Sequence, residues 1–288
     1  MLRLPYFLEF YREKGAGLFV IADNESTDGT TEYLTEQPDV LLFRASGSYA
    51  ASRSGIDWLN ALLHEFGRDR WCLTVDTDEL LVFPHCERLE VPDLTDYLDA
   101  RGANALPTFM LDMYSQEPIR EVRYQAGWPF LSVCPFFDPA GYLEFETVGP
   151  GRRIPSRGGP RHRLFWEGRQ RKRPAPVLVK YPLVRWSKSL IYEASTHVLS
   201  NVRAGDVTGV LLHFKFLSDF VSRAEEEVGR REHFDGASQY SAYWEVISGH
   251  PGLCAYFEGS VRYGGSRQLM EMGLMHSSVA FDEGMQFE

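Results

Sequence analysis

The stretch WCLTVDTDELLVF, residues 71–83, places three carboxylates between two apolar runs. Asp76, Asp78 and Glu79 fall within four consecutive positions, where their like charges repel and where burial beside a core is costly. A chain tolerates such a cluster when a positive group lies between the carboxylates. The stretch therefore predicts strands anchored in a core and a cation at the acidic tip.

The spacing of the three acids predicts different roles for them. In an extended strand end, residues two apart point the same way, so Asp76 and Asp78 aim at one point and Glu79 faces the other side. Carboxylate oxygens suit Mg²⁺ or Mn²⁺, and phosphate oxygens can fill the open positions of such an ion. Glu79 is expected to brace the loop through hydrogen bonds or an arginine partner. A solvated acidic turn is the alternative.

The composition limits the classes of function. The chain has 288 residues, 44% of them hydrophobic, which is enough for one large domain or a core domain with an appendage. A net charge of −10 argues against general nucleic-acid binding. Residues 152–173 hold nine Arg or Lys and one Glu, a local charge of +8 that leaves −18 for the rest. This basic segment predicts an anionic partner such as phosphate or a peripheral membrane contact; a solvated loop is the alternative.

Cysteine spacing and hydropathy predict the cellular compartment. The cysteines at positions 72, 86, 134 and 254 form no CxxC pair, which argues against zinc ribbons and disulfide frameworks. The sequence shows neither an apolar run of membrane-spanning length nor a signal peptide at its start. We expect reduced thiols and a cytoplasmic protein that is, at most, peripheral to the inner face of the membrane.

Helix and strand patterns alternate through the first part of the chain. Helices are predicted over residues 4–15, 31–37 and 56–66, and strands over 18–23, 40–43 and 71–75. This order predicts an α/β sheet that is mostly parallel near its centre. Further along, one strand is predicted to end near Asp112, and the Pro- and Gly-rich residues 129–176 predict loops and short strands. Another strand is predicted over 207–216, followed by helices over 218–234 and 240–247.

Two acidic loops follow predicted strands. DNESTDGT, residues 23–30, and DTDEL, residues 76–80, both lie at carboxyl ends, so in a parallel sheet they open into one crevice. Asp23 and Asn24 end a strand where a base or ribose can be read by hydrogen bonds. A purely structural role also explains the remainder of this loop. Its Ser, Asp and Gly residues favour turns, and Asp28 lies near the positive end of the next helix.

Three motifs together resemble the family-2-type glycosyltransferases with the GT-A fold. They are LFVIADNESTDGTTEYL, ASRSGIDWLNALL and LTVDTDELLVF, in that order. The resemblance is strongest over residues 4–83 and continues loosely to about residue 220. It implies a GT-A-like domain over 1–220, with a nucleotide-sugar half (1–115) and an acceptor and metal-completing half (116–220), followed by a helical C-terminal extension over 221–288.

The resemblance also implies a reaction and a site. The donor is a nucleotide-diphosphosugar, the acceptor is a glycan or a lipid-linked sugar, and the cofactor is Mn²⁺ or Mg²⁺. By analogy, the donor contacts are Asp23, Asn24, Asp28, Arg53 and Lys215, and the metal ligands are Asp76, Asp78 and His213. His197 is the other candidate for the histidine ligand of the metal. For both histidines, a buried structural role is the alternative.

The catalytic base is the least defined part of this expectation. An inverting transfer needs a carboxylate that takes the proton of the acceptor hydroxyl. Asp112, at the end of a predicted strand, is the first choice, and the others are Glu146, Glu167 and Glu193.

Basic and aromatic residues in the second half are further candidates. An extended segment would present Arg161 and Arg163 on one face, toward a diphosphate or an acidic acceptor. Trp166, Tyr181 and Trp186 are candidates for stacking on sugar rings, although core packing is the commoner role of tryptophan.

One feature departs from the family pattern. The family begins with a strand that contacts the nucleotide, whereas this sequence begins in what reads as the helix after it, so the first strand is expected to be missing. Two other functions stay open: a non-catalytic sugar-nucleotide or glycan-binding protein, and a DxD-dependent phosphohydrolase. Leu80, where the latter enzymes carry Thr or Val, counts against the phosphohydrolase.

Overall fold

The computed structural model describes residues 1–230 and 234–287. Its strands are β1 (Phe19–Asp23), β2 (Val40–Arg44), β3 (Trp71–Leu73), β4 (Glu79–Val82), β5 (Ala105–Asp112), β6 (Phe136–Phe137), β7 (Tyr142–Val148), β8 (Arg152–Gly158), β9 (Val179–Arg185), β10 (Gly209–His213) and β11 (Val261–Arg262). Its helices are α1 (Leu4–Glu13), α2 (Thr30–Thr35), α3 (Ile56–Phe66), α4 (Val91–Ala100), α5 (Phe130–Val133), α6 (Gly159–Phe165), α7 (Phe220–Arg230), α8 (Phe234–Gly249), α9 (Ser266–Glu271) and α10 (Val279–Gly284).

The main sheet is mixed. Its order is β3-β9-β5-β10-β4, and only the β5–β10 pair within it is parallel. Strands β1 and β2 pair in parallel as a separate two-stranded sheet, and β7 and β8 form an antiparallel hairpin. The expectation of an α/β fold is therefore confirmed, but the expectation of a mostly parallel sheet is wrong. The reason is that β4 and β9 run antiparallel to the strands they flank.

The predicted elements of the first part occur in the predicted order. Strands β1, β2 and β3 and helices α1, α2 and α3 all form, and β5 ends at Asp112 as expected. Pro5 stands in the first turn of α1, where its missing N–H costs nothing. The predicted helix over 218–234 is observed as α7, and its positions 231–233 lie outside the described residues.

The core surrounds the central strands of the main sheet. Strand β5 is buried at every position, and β4 and β10 are buried as well. The last described segment packs against the same core, since Leu269, Leu274 and Phe281 belong to the cluster that includes α1 and β4. Helices α6, α7 and α8 enclose a second cluster, in which Phe165, Phe216 and Tyr243 are fully buried. Within the described residues no helix has both the length and the apolar character needed to cross a bilayer.

Candidate active site

Three strands bring the acidic tip and the late histidine to one edge of the main sheet. His213 ends β10 beside Asp112, which ends the parallel strand β5. Glu79 begins β4 and pairs with His213 from the other side. The loop carrying Asp76 and Asp78 joins β3 to β4, so it lies at this same edge. The structure therefore brings the acidic tip and His213 together through a mixed sheet, whereas the first acidic loop follows β1, which belongs to the separate β1–β2 sheet.

Asp78 is a buried residue whose carboxylate oxygens are free to bind a ligand. The residue is 6% exposed, and its Oδ2 lies 3.9 Å from Nε2 of His213. Among the described residues no donor forms a hydrogen bond with this carboxylate, whereas its backbone oxygen accepts from the N–H of Phe214 at 2.7 Å. Burial alone would raise the pKa of Asp78, but nearby basic groups outweigh it and hold the pKa far below its usual range: His213 when it is protonated, and the cations Arg3, Lys215 and Arg223. The side chain is therefore ionised.

His213 is oriented by a buried ion pair. Its Nδ1 lies 2.5 Å from Oδ1 of Asp112, and Oδ2 of Asp112 accepts from Nε of Arg161 at 2.7 Å. The three residues are at most 5% exposed. Burial lowers the pKa of His213, which favours a neutral ring whose Nδ1–H donates to Asp112. The Nε2 lone pair then faces Asp78, the arrangement in which a carboxylate fixes a ligating imidazole.

Lys180 is the cation between the other two acids. Its Nζ donates to Oε1 of Glu79 at 2.6 Å and to Oδ2 of Asp76 at 2.8 Å. Glu79 is fully buried, and its Oε2 accepts from the backbone N–H of Asp76 at 3.1 Å. Burial raises the pKa of Glu79, and Lys180 opposes that rise. Glu79 thus braces the loop as expected, but its cationic partner is a lysine from β9.

The predicted donor contact Lys215 and three residues outside the predicted motifs surround the same position. Lys215 donates from Nζ to the hydroxyl of Tyr240 on α8 at 2.9 Å and lies 4.8 Å from the centroid of that ring. Arg223 on α7 contributes to the low pKa of Asp78. Burial raises the pKa of Tyr49 to about 12, with a further contribution from Asp76. No sequence pattern points to Tyr49, Arg223 or Tyr240, because their nearness to the acids depends on how the helices pack.

The first acidic loop is held together by its own side chains. Asp23 accepts from Oγ1 of Thr31 at 2.7 Å and from the N–H of Ser26 at 3.3 Å. Asn24 donates from Nδ2 to the backbone oxygens of Ala45 and Gly47. These bonds support the structural explanation of the loop.

The remaining predicted donor contacts lie at the surface. The side chain of Asp28 is 58% exposed and accepts from Oγ1 of Thr30 at 2.6 Å. Arg53 has a positive φ of 53°, and its side chain, 48% exposed, donates from Nε to Asp57 at 2.9 Å and also to the backbone oxygen of Glu193. Both side chains are therefore accessible to a ligand.

The alternatives to the chosen base and histidine occupy other surroundings. The side chains of Glu146, Glu167 and Glu193 are exposed. His197 lies with Nδ1 2.5 Å from the backbone oxygen of Val179, and burial lowers its pKa to about 3. It is therefore neutral, and its nearest polar contact is backbone.

Arg161 and Arg163 lie on helix α6, so the expectation of an extended segment there is wrong. Gly158 and Gly159, both with positive φ, turn the chain out of β8, and Pro160 then starts the helix. Arg161 pairs with Asp112, and Arg163 donates to Asp138 at 2.8 and 3.0 Å. Both arginines thus neutralise buried carboxylates.

Two of the three aromatic candidates for stacking on sugar rings are buried, and the third is half-buried. Trp166 and Trp186 are 8% and 1% exposed and donate to the backbone oxygen of Arg173 and to Nδ1 of His64. Tyr181 is half-buried. The two tryptophans therefore have the core role that tryptophan commonly takes.

The donor set was compared with the needs of a divalent cation. Asp78 and His213 fit, since one offers an ionised carboxylate without a hydrogen bond and the other a correctly oriented Nε2. Asp76 is turned toward Lys180, and the described residues contain no preformed group of three His, Cys, Asp or Glu side chains that could hold a metal ion.

Comparison with known proteins adds no relative. No protein-family model and no curated protein sequence matches this chain. The functional conclusion therefore depends on the site itself.

Proposed function

We propose that this protein is a metal-dependent glycosyltransferase that moves a sugar from a nucleotide-diphosphosugar to a glycan or lipid-linked acceptor. The observation that carries the proposal is the pairing of the ionised, unbonded carboxylate of Asp78 with an oriented His213 Nε2 at 3.9 Å. A Mn²⁺ or Mg²⁺ ion bound by these residues would stabilise the negative charge of a departing nucleoside diphosphate. The finer assignment to a family-2-type enzyme with a GT-A-like domain over residues 1–220 is part of the proposal.

The residues around Asp78 suit an anionic donor. Lys215 and Arg223 add positive charge on one side, where a diphosphate would carry its negative charge. Tyr240 accepts a hydrogen bond from Lys215, and Tyr49 lies close enough to Asp76 for that carboxylate to contribute to the raised pKa of its hydroxyl. Lys180 holds Asp76 in place and neutralises Glu79.

The proposed nucleotide contacts remain at the first acidic loop and the loop before α3. Asp23 and Asn24 fix the loop that would lie under the base or ribose, and Asp28 and Arg53 present accessible side chains. The acceptor, the cytoplasmic location and a peripheral membrane contact through residues 152–173 also stay proposals.

Asp112 is the first candidate for the catalytic base, but its hydrogen bonds give it another role, which is to position the ring of His213. Both of its oxygens are occupied, one by His213 and one by Arg161, and the pKa of its carboxyl is held below the usual range by Arg161 and His213 against the effect of burial. A carboxylate so bound is a weak proton acceptor. Glu146, Glu167 and Glu193 remain candidates for the base.

The test is a titration of the purified chain with UDP- and GDP-sugars, with and without Mn²⁺, by isothermal calorimetry. Asp78→Ala should abolish metal-dependent donor binding while its circular dichroism stays that of the wild type. Asp96→Ala, an exposed aspartate on α4, is the matched control and should bind as the wild type does. Unchanged binding by Asp78→Ala would overturn the assignment.

The structure also favours a second candidate, a non-catalytic sugar-nucleotide-binding protein. Asp112 is fully engaged, and Asp76 is paired with Lys180. Metal-dependent donor binding without turnover on a panel of acceptors would support this candidate over the transferase. A covalent phospho-enzyme at Asp76 would instead indicate the phosphohydrolase.

A further inference from the structure

A polar cavity lies apart from the Asp78 site. It has a volume of about 350 Å³ and lies between the start of β8 and the segment after α9. Its wall includes Arg152, Arg153, Ile154, Thr208, Leu274 and His276. None of these residues belongs to the polar groups around Asp78. We call it the Arg152 cavity.

Two buried nitrogen atoms in this wall lack partners. Nε of Arg152 and Nε2 of His276 are both inaccessible to solvent, and neither has a hydrogen-bond partner among the described residues. Buried polar groups are nearly always bonded, because an unpaired one loses its hydration without replacement. Both residues also line the Arg152 cavity, so two basic side chains with an unpaired nitrogen each stand beside the same open space.

The backbone holds His276 in place. Its N–H donates to Oγ1 of Thr208 at 2.9 Å, and its backbone oxygen accepts from the N–H of Thr208 at 3.0 Å. Arg152 is held from the other side, as the first residue of β8 paired with Val148 of β7. Both sides of the cavity are therefore set by regular backbone bonds before any ligand binds.

The charge of the cavity favours an anion. Arg152 and Arg153 line it, and no acidic residue does within the described part of the chain. The nearest acids are engaged elsewhere: Asp206 accepts from the hydroxyl of Tyr97, and Asp282 accepts from Ser277 and contacts His85. Burial lowers the pKa of His276, and Arg152 lowers it further, a repulsion that a bound anion would relieve.

We propose that the Arg152 cavity binds a small oxyanion, namely a phosphate monoester or inorganic phosphate, between Arg152 and His276. A phosphate group has oxygens enough to accept from a guanidinium and from an imidazole N–H at once, and a guanidinium matches its geometry. The volume exceeds what a phosphate group fills, and Ile154 and Leu274 give an apolar wall for a small organic part. The anionic partner expected for the basic segment is thus assigned to its first two arginines.

The test is isothermal calorimetry of the whole chain with glycerol 3-phosphate and, separately, with inorganic phosphate; uncharged glycerol is the blank. Wild type should bind with saturation at one site. Arg152→Met and His276→Phe should each weaken binding by roughly 10-fold or more, because each removes one charged or polar donor. Arg169→Met, an exposed arginine of the same basic segment, should bind as the wild type does.

The outcomes separate this proposal from the glycosyltransferase proposal. Circular dichroism identifies the variants that fold, and either cavity variant is sufficient for the test. Binding retained in Asp78→Ala supports a separate site, and tighter binding of the monoester than of inorganic phosphate identifies an organic ligand. Unsaturable binding by the wild type, or an equal loss in Arg169→Met, would show that only general charge is at work and would overturn the proposal.

Discussion

Replacing Arg161 by methionine is the sharpest test of the charge arrangement at the site. Arg161 and Asp112 are 4% and 2% exposed and are joined at 2.7 Å, so the change leaves a buried carboxylate without its cation. Removing one partner of a buried ion pair costs about 3–5 kcal/mol, a large part of the roughly 5–15 kcal/mol by which a folded domain is stable.

The expected shift in melting temperature follows from the size of the chain. With an unfolding entropy of about 2.1 cal/mol/K per residue, 288 residues give about 0.6 kcal/mol/K. A loss of about 3–5 kcal/mol therefore lowers Tm by about 5–8 °C. Thermal unfolding followed by circular dichroism measures this, and denaturant unfolding gives the free energy directly.

Two further variants isolate the cause. Arg267→Met removes an exposed arginine whose pair with Glu271 is 87% and 63% exposed, so stability should change by less than about 0.5 kcal/mol. Asp112→Asn/Arg161→Met removes both charges and should recover at least half of the loss, because the Asn oxygen still accepts from His213. If Arg161→Met behaves like Arg267→Met, or if the double variant is no better than the single one, the pair is not a buried charge pair of this kind.

Three other changes have defined outcomes. Lys180→Met leaves Glu79 buried without its cation. Burial raises the pKa of that carboxyl to about 8 in the folded wild type, and without Lys180 the pKa rises further, so both proteins lose stability alike as pH rises from about 5 to about 8. The cost of the variant relative to the wild type should therefore grow only above about pH 8, and a difference in urea midpoint that is the same at about pH 7 and about pH 9 would contradict this. Gly158→Ala, at a φ of +122° and with its new Cβ 2.5 Å from the backbone oxygen of Gly141, should lower stability by about 1–3 kcal/mol, whereas Gly229→Ala, with open space around it, should not. Asp93→Ala removes one half of the α4 capping box and should cost about 0.5–2 kcal/mol in denaturant unfolding.

The local elements were predictable because their signals are local. Helix α3 has apolar residues at helical spacing between Gly55 and Gly67, and β1 is a short apolar run that ends at a turn-forming loop. Strand direction was not predictable in the same way. β5 is buried on both faces, and a fully buried run has the same pattern whether its neighbours are parallel or antiparallel.

The partners of the acids were not predictable for a similar reason. The sequence shows that Glu79 needs a cation, but Lys180 lies 101 positions away, on a strand whose lysine and proline weaken the strand pattern. Arg161 and Asp112 are likewise 49 positions apart. The crowded acids of residues 71–83 show that a cation is needed nearby. Which residue supplies that cation depends on which strands become neighbours in the sheet.

Hydrogen bonds from lysine and arginine side chains also distinguish the carboxylate of the proposed site from the buried structural carboxylates. Glu79, Asp112 and Asp138 are buried, and each receives a hydrogen bond from a lysine or arginine nitrogen at 2.6–2.8 Å. Asp78 is nearly as buried, at 6% exposure, yet the basic group that approaches it within 4 Å in the described part of the chain is the neutral ring of His213, with Nε2 at 3.9 Å. Positive groups farther away keep it ionised without bonding to it. Because an unbonded buried charge is costly, a fold retains one where a ligand supplies the missing contact, and this supports Asp78 over the other three carboxylates as the position of the proposed metal and donor.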